Sequence, residues 1–220
     1  MSEPRRSGEA LARLDEITRR LRVDCPWDRQ QDERSIVPHT VEEAYELADA
    51  ANRGDDRKLL DELGDVLFQV VFLSLLLEER GEGDFAAVAE HCRQKLIRRH
   101  PHVFGDTEVS GAAEVLRNWD EIKRGEEGLE PGIFGDVPEN LPAPLYARKL
   151  LRRASSAGAE LPPMPVEERA GAGDFESIGE LMLAVVARAR ELKVDPELAL
   201  RSAADRLRNS IEKEADAASE

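Results

Sequence analysis

A long apolar run, residues 66–77, most constrains what this chain can fold into. It reads Val-Leu-Phe-Gln-Val-Val-Phe-Leu-Ser-Leu-Leu-Leu and starts directly after Asp65. A helix with this sequence would be apolar on nearly every side, so it has to be buried against other elements. The run is shorter than the roughly 18 residues that a membrane span needs. The sequence therefore predicts a buried helix in a soluble globular fold, and no membrane partner.

Two pairs of acids accompany this helix: Glu43 with Glu46, and Glu62 with Asp65. Each pair is spaced i, i+3, which places its two carboxylates on one face of a helix. Burying two carboxylates at the start of the apolar helix is costly unless a cation meets them. Acids without a histidine between them suit a hard divalent cation, Mg²⁺ before Zn²⁺. The pattern indicates phosphate chemistry; the alternative is a solvated helix face with ordinary salt bridges.

The net charge of the chain restricts the classes of molecule that it can bind. A net charge of −15 argues against nucleic acid, because phosphate backbones need a basic face. An anionic substrate then has to be attracted by a metal or by a local basic cluster. The N-terminus lacks the apolar segment of a signal peptide, and Cys25 and Cys92 have no metal-ligand spacing, which indicates free thiols. We expect a cytoplasmic protein.

The rest of the chain is typical of helices separated by short breaks, without the alternation of strands, so we expect an all-α fold. Thr40 is the predicted N-cap of the second helix, with Glu43 three residues on. Trp27 is expected to anchor its loop in the core. The predicted helices span residues 9–21, from 40 to near 53, 56–79, 84–99 and 112–124.

The chain is expected to contain a four-helix-bundle-like domain, residues 9–124, and a Gly- and Pro-rich linker, residues 125–144. Residues 145–218 are interpreted as a degenerate helical repeat of the first domain. Aligning residues 177–186 with 62–71 replaces Glu62 by Ser177, and aligning residues 166–168 with 41–43 replaces Glu46 by Gly171. Aligning residues 195–210 with 84–99 places Arg206 at the position of Lys95. A chance coincidence of helical patterns is the alternative. A real repeat would be non-catalytic and serve packing or dimerisation.

Four motifs occur in the order found in one family. They are Cys25-Pro26-Trp27-Asp28, Glu42-Glu43-x-x-Glu46, Glu62-x-x-Asp65 and the segment from Lys95 to Phe104. Together they resemble the MazG family of all-α nucleoside triphosphate pyrophosphohydrolases, whose domain matches residues 9–124 from end to end. Larger members carry two such domains, which fits a decayed second copy. One departure is Gln31-Asp32, where the family usually has Gln-Thr or Gln-His.

The resemblance implies that Glu43, Glu46, Glu62 and Asp65 bind Mg²⁺, which bridges the substrate phosphates and activates water for in-line displacement. Glu46 is a candidate for the base that orients this water, although the choice among the four acids stays open. Glu42 lies one residue off that face and is either a supporting residue or simply exposed.

Four cations are candidates for binding phosphate: Lys58, Lys95, Arg99 and Lys123. Lys95 and Arg99 are spaced i, i+4, so both can reach one anion. Lys58 lies one turn before Glu62. The alternative is that these residues only balance the charge of an acidic protein. The resemblance places Trp119, one turn before Lys123, by the base or sugar; a core tryptophan is the other reading.

The expected function is Mg²⁺-dependent hydrolysis of a nucleoside triphosphate to the monophosphate and pyrophosphate, clearing non-standard or surplus nucleotides. The alternative is a nucleotide sensor or interaction module that kept the fold and lost turnover. A di-iron bundle needs Glu-x-x-His pairs, and neither Glu43 nor Glu62 starts one. Because the apolar helix needs cover from a partner chain, we expect a homodimer at least.

Overall fold

The computed structural model describes residues 3–126, 134, 137–138, 140–159, 164, 166, 174–204 and 206, and their side chains except those of residues 3–5 and 124. The regular secondary structure in these residues is entirely helical, which confirms the all-α prediction. None of the described helices combines the length and the apolar character that a bilayer crossing requires. Gly171 and residues 207–218, which belong to the predicted repeat, lie outside the described residues.

The helices whose bounds the structure gives are α1 (Glu3–Asp24), α2 (Glu33–Arg53), α3 (Asp56–Glu79), α4 (Phe85–Arg99), α5 (Pro101–Phe104), α6 (Ala112–Arg124), α7 (Ala143–Ser156) and α8 (Phe175–Glu191). Residues 196–204 are helical as well. A 3₁₀ turn, Asp28–Gln30, follows α1. By its internal contacts the chain separates into two compact units, residues 1–96 and 97–220. The predicted domain boundaries at residues 124 and 145 stay predictions.

The start of α2 corrects one prediction. The N-cap is Asp32, whose carboxylate accepts the backbone N–H of Ser35 at 2.8 Å, while Ser35 Oγ accepts the backbone N–H of Asp32 at 2.9 Å. This reciprocal capping box satisfies two backbone donors. The prediction of an N-cap at Thr40 is wrong: Thr40 lies inside the helix, and its hydroxyl donates to the carbonyl of Ile36 at 3.3 Å.

A tight turn joins α2 to α3. Gly54 follows α2 with a φ of 68°, in the left-handed region that favours glycine at helix ends. Asp55 then caps α3, because its carboxylate accepts the backbone N–H of Lys58 at 3.0 Å. So short a connection makes the two helices an antiparallel hairpin.

The core of the first unit lies along this hairpin. Ile36 near the start of α2 packs against Phe72 and Leu76 towards the end of α3, and all three are buried. Phe68 and Leu73 lie against them. Full burial of side chains of this size contributes roughly 1.5–3 kcal/mol each. The antiparallel pairing fixed by this core brings the acids in the middle of α2 to the start of α3.

α3 is only partly covered within one chain. Val71 and Phe72 are fully buried, whereas Leu60, Leu63 and Val70 on another side are 73%, 50% and 38% exposed. The spacing i, i+3, i+10 places these three on one stripe of the helix. The prediction of a buried helix therefore holds for the sides that face α1 and α2 and not for this stripe.

Arg22 of α1 fixes the loop that follows. Its guanidinium binds Glu79 of α3 at 2.8 Å and donates to the backbone carbonyls of Asp28 at 2.5 Å and Gln31 at 3.0 Å. Trp27 is 51% exposed. The prediction that Trp27 anchors the loop in the core is therefore wrong, since Arg22 holds the loop backbone and leaves the indole at the surface.

In the second unit, α7 contacts both α6 and α8. One side of α7 buries Leu151 and Ala154, and α8 buries Ala184 and Val186. Arg148 of α7 also pairs with an acid beyond α8, Asp195. The opposite side of α7 carries the polar contacts to α6 that are described below.

Candidate functional site

Three of the four predicted metal ligands lie together in the first unit. One carboxylate oxygen each of Glu43, Glu62 and Asp65 lies within 4.8 Å of the others. Glu62 and Asp65 share a face of α3, and the hairpin presents Glu43 of α2 opposite them. Glu62 is buried, Glu43 is half-buried and Asp65 is exposed. The acids at the start of α3 thus differ from the expected buried pair, because only one of them is covered.

The grouping of these acids has an electrostatic cost. Burial raises the pKa of Glu43 above its ordinary value, and the negative charges of Asp65, Glu46 and Glu62 raise it further. A cation among the carboxylates would offset both effects. Because the group offers carboxylate oxygens, it suits a hard divalent cation such as Mg²⁺. The residues present therefore fit the metal that the sequence predicts.

Glu46, the fourth predicted ligand, lies beside Lys58. The Nζ atom of Lys58 is 3.9 Å from Oε2 of Glu46 and 3.6 Å from Oε1 of Glu62. The lysine thus lies on the face of the acids, as its spacing predicts, and partly balances the buried carboxylate of Glu62. Lys58 and Glu46 are 43% and 48% exposed, so water screens their mutual attraction.

An open groove of about 670 Å³ runs along the start of α3. Its volume falls in the range of small-molecule sites, roughly 300–1,000 Å³. The lining residues are Asp55, Arg57, Lys58, Leu60, Asp61, Gly64 and Asp65. Lys58 and Asp65 belong both to the groove and to the acid site, so a ligand in the groove would reach these two side chains.

The predicted nucleotide-binding residues Arg99 and Trp119 lie in the second unit. Arg99 binds Glu126 through two hydrogen bonds of 3.0 and 2.5 Å, and its guanidinium carbon is 5.4 Å from the centre of the Trp119 ring. His100 packs edge-on against the same ring at 4.8 Å. Lys95 lies one turn before Arg99 on α4. The prediction that these residues join the acids in one site stays a prediction.

Lys123 of α6, the last of the predicted cations, is half-buried in a positive environment. Burial lowers the pKa of its ammonium, and the charges of Arg153, Arg99, Lys149 and Arg152 lower it further, in that order. Three of these four cations belong to α7, in the region where sequence reasoning placed no functional residue.

Sequence reasoning also missed Glu126. Its carboxylate binds Arg99 and, at 2.9 Å, Arg98. Hydrogen bonds from Arg99, the largest cause, and from Arg98 lower the pKa of Glu126 to about 2. Glu126 follows α6 in the segment predicted to be a linker. No local pattern marked it, because its partners lie 27 and 28 residues away along the chain.

Comparisons with known proteins agree with the sequence motifs. Residues 31–104 match the family model of the MazG nucleotide pyrophosphohydrolase domain. The nucleoside triphosphate pyrophosphohydrolase of Escherichia coli K12 is 37% identical over 216 residues, which cover 88% of this chain and 82% of that protein. The nucleoside triphosphate pyrophosphohydrolase/pyrophosphatase MazG of Thermotoga maritima is 37% identical over 193 residues, 81% of this chain and 74% of that protein.

A solved structure is also similar. It is the crystal structure of a mazG-related protein from Thermotoga maritima, with 24% sequence identity and a TM-score of 0.45 over 51% of this chain and 97% of that one. The identity to the two curated relatives extends over most of both chains, and the family match includes the predicted acids and the basic segment after them. The chain therefore belongs to the MazG family.

Proposed function

We propose that this protein hydrolyses nucleoside triphosphates to the nucleoside monophosphate and pyrophosphate, with Mg²⁺ as cofactor. The observation that carries the proposal is the group of carboxylates from Glu43, Glu62 and Asp65, whose oxygens lie within 4.8 Å of one another. Relatives 37% identical over most of this chain are named for the same reaction. The proposed role is the clearing of non-standard or surplus nucleotides in the cytoplasm.

Glu43, Glu62 and Asp65 would hold the metal, with Glu46 as the fourth ligand or as the base. A bound Mg²⁺ neutralises phosphate charge and lowers the pKa of water. In the reaction, a water oxygen bonds to the α-phosphorus, the bond from that phosphorus to the bridging oxygen breaks, and pyrophosphate leaves. Glu46 is the best candidate to take the proton from the water, because it stands outside the group of three and is 48% exposed.

Lys58, Lys95, Arg99 and Lys123 are the proposed phosphate-binding residues. Lys58 supports this role by lining the groove beside the acids, where it would exchange its carboxylate partners for phosphate oxygens. Trp119 is proposed to contact the base or sugar; its ring already lies 5.4 Å from the guanidinium of Arg99. We also propose a homodimer, supported by the exposed apolar stripe of α3.

Product analysis tests the proposed function. The purified protein is incubated with each common ribo- and deoxynucleoside triphosphate, with and without Mg²⁺. We expect monophosphate and pyrophosphate in equal amounts, only with the metal. Glu62→Gln and Asp65→Asn should abolish turnover and keep the helical circular dichroism. Glu90→Gln, a control that alters an exposed acid paired with Arg93 on its own helix, should leave turnover unchanged.

Two outcomes would contradict the proposal. Release of single phosphate instead of pyrophosphate would change the reaction, and normal turnover in both acid variants would move the site elsewhere. Nucleotide binding without turnover would favour the sensor alternative.

A further inference from the structure

Glu126 binds two arginines at once in the second unit. Its Oε1 accepts a hydrogen bond from Nε of Arg99 at 3.0 Å, and its Oε2 accepts one from Nη2 of Arg99 at 2.5 Å. Nε of Arg98 also donates to Oε1, at 3.0 Å. One carboxylate cannot neutralise two guanidinium groups, so Glu126 and its two arginines together keep a single positive charge. The contact therefore still attracts an anion.

The pair between Glu126 and Arg99 occupies only one edge of the guanidinium. A guanidinium has five N–H donors in one plane, and Glu126 takes the edge formed by Nε and Nη2. Among the residues that the structure describes, none accepts a hydrogen bond from Nη1. The unpartnered polar atoms that are buried in this part of the chain do not include Nη1, so it is in contact with solvent. The edge formed by Nη1 and Nη2 is thus left open for an anion.

Arg99 is held in place on two sides. Glu126 binds it in the plane of the guanidinium, and the Trp119 ring lies 5.4 Å from the guanidinium carbon, within the range of a cation–π contact. The side chains of Arg99 and Glu126 are only 12% and 16% exposed, so water screens their attraction less than at the surface. An arginine that is already fixed loses less conformational freedom when a ligand binds to it.

We propose that Glu126 is a positioning residue for substrate binding, which holds the guanidinium of Arg99 so that its open edge meets the phosphates. The inference rests on the proposed function, in which Arg99 binds phosphate. Glu126 itself does not contact the substrate: its negative charge repels phosphate from the edge that it occupies, so phosphate approaches Arg99 from the opposite edge alone. The segment predicted to be a linker thereby contributes to the site.

The alternative is an ion pair that only stabilises the fold. The two roles affect different quantities. Loss of a purely stabilising pair lowers the fraction of folded molecules and therefore the rate at saturation, but each folded molecule keeps its affinity for the substrate. Loss of a positioning residue weakens binding by every folded molecule and raises KM.

Steady-state kinetics at pH 7, with the nucleoside triphosphate that the wild type hydrolyses fastest, separates these roles. Glu126→Gln should raise KM by about three- to tenfold, with kcat within about twofold of the wild type. Arg99→Gln should raise KM at least as much. Because Glu126 acts through Arg99, the double variant should have the KM of Arg99→Gln alone. Additive increases in the double variant would overturn the proposal. An unchanged KM in Glu126→Gln would overturn it too, and a lower KM would make Glu126 a competing anion instead.

Glu191→Gln is the matched control, since it removes the same charge from an exposed ion pair with Arg188 in the second unit. Its KM and kcat should stay within about twofold of the wild type. A rise in KM as large as that of Glu126→Gln would assign the effect to the net charge of the protein and overturn the positioning role.

Nitrogen-15 NMR of the unaltered protein keeps the test decisive if a variant does not fold. The Nε–H signal of Arg99 is identified by its nuclear Overhauser contacts with the Trp119 ring and reports the bond to Glu126. Saturating inorganic tripolyphosphate with Mg²⁺ should shift the Nη signals of Arg99 and leave its Nε–H in slow exchange with water. Fast exchange of this Nε–H would mean that phosphate displaces Glu126, and would overturn the proposal, as would unchanged Nη signals.

The two proposals fail in different ways. If the wild type hydrolyses no nucleoside triphosphate, the proposed function fails, whereas the NMR result still decides for or against Glu126 as a positioning residue. If turnover is as proposed and Arg99→Gln raises KM, but Glu126→Gln keeps the wild-type KM, the positioning role alone fails.

Discussion

At the scale of single residues, Lys58 is the cation on which the acid site depends when no metal is bound. Its ammonium lies 3.6 Å from the carboxylate of Glu62, and that side chain is only 6% exposed. A buried carboxylate without a positive partner is unfavourable. A divalent cation held by Glu43, Glu62 and Asp65 would also offset the charge of Glu62, so we expect Lys58 and the metal to substitute partly for each other in their effect on stability.

We therefore expect Lys58→Met to make the stability of the protein depend on Mg²⁺. Without metal, the free energy of unfolding of the variant should be roughly 1–2 kcal/mol below that of the wild type. The loss is no larger because Lys58 is half exposed, so water already screens the pair with Glu62. For a chain of this size the loss lowers Tm by roughly 2–8 °C. Thermal unfolding followed by circular dichroism, first with EDTA and then with saturating Mg²⁺, measures the Tm of the variant and of the wild type. Saturating Mg²⁺ should remove most of the difference in Tm between them.

Arg53→Met is the matched control for Lys58→Met. Arg53 ends α2, and its ion pair among the described residues is with Asp49, one turn earlier, in an exposed contact. The Tm of Arg53→Met should differ little from that of the wild type, and Mg²⁺ should change both Tm values by the same amount. A Tm deficit in Lys58→Met that Mg²⁺ does not reduce would contradict the assigned role of Lys58.

Glu126 makes the second unit sensitive to acid. Its pKa is lowered to about 2, mainly by the hydrogen bonds from Arg99, and its ordinary value is 4.5. Because the folded-state pKa lies below the unfolded one, the ionised carboxylate stabilises the fold above about pH 4.5. That contribution is lost as the pH falls from about 4.5 to about 2.

We expect Glu126→Gln to be less stable than the wild type at pH 7, by about 1–3 kcal/mol, and equally stable near pH 2. Urea unfolding at a series of pH values between these limits measures the difference. Glu191→Gln is the control, because it breaks an exposed ion pair with Arg188. Its free energy of unfolding should stay close to that of the wild type at every pH. A deficit in Glu126→Gln that stays constant down to pH 2 would show that ionisation is not its cause.

At the scale of helices, the sequence predicts the first and last residues of a helix well where a capping residue or a glycine marks its end. α3 spans Asp56–Glu79, as predicted, because Asp55 caps it and Gly81 follows it. The start of α2 is different, since Asp32 with Ser35 and Thr40 with Glu43 both resemble a capping box. The burial of Ile36 against α3 decides between them, and that contact is not local in sequence.

The same distinction applies to the candidate site. The i, i+3 spacing predicts that Glu62 and Asp65 share a face, and the tight turn after α2 brings Glu43 to them. The exposure of Asp65 was not predictable, because it depends on what covers the start of α3. The polar contact between α6 and α7 was missed for the same reason: Arg152 and Asp120 meet across 32 residues of chain. Helical periodicity carries no information over that distance.

At the scale of the whole molecule, the apolar stripe of α3 is the surface on which the proposed homodimer would form. Leu60, Leu63 and Val70 remain exposed although they belong to the most apolar helix of the first unit. Stable interfaces bury about 800 Å² per partner around an apolar centre, and this stripe offers such a centre. A net charge of −15 opposes random association, so an apolar surface retained against this repulsion favours a specific homodimer.

Light scattering after size exclusion should therefore give twice the mass of one chain. Leu60→Glu with Leu63→Glu should yield a helical monomer, because two buried charges without partners cost more than a dimer interface of ordinary affinity supplies. The matched control, Ile178→Glu with Met182→Glu, places the same charges on exposed apolar positions of α8. This control should stay dimeric. A wild-type monomer, or dissociation caused by the α8 variant instead, would place the α3 stripe outside any interface and leave its exposure to be explained within one chain.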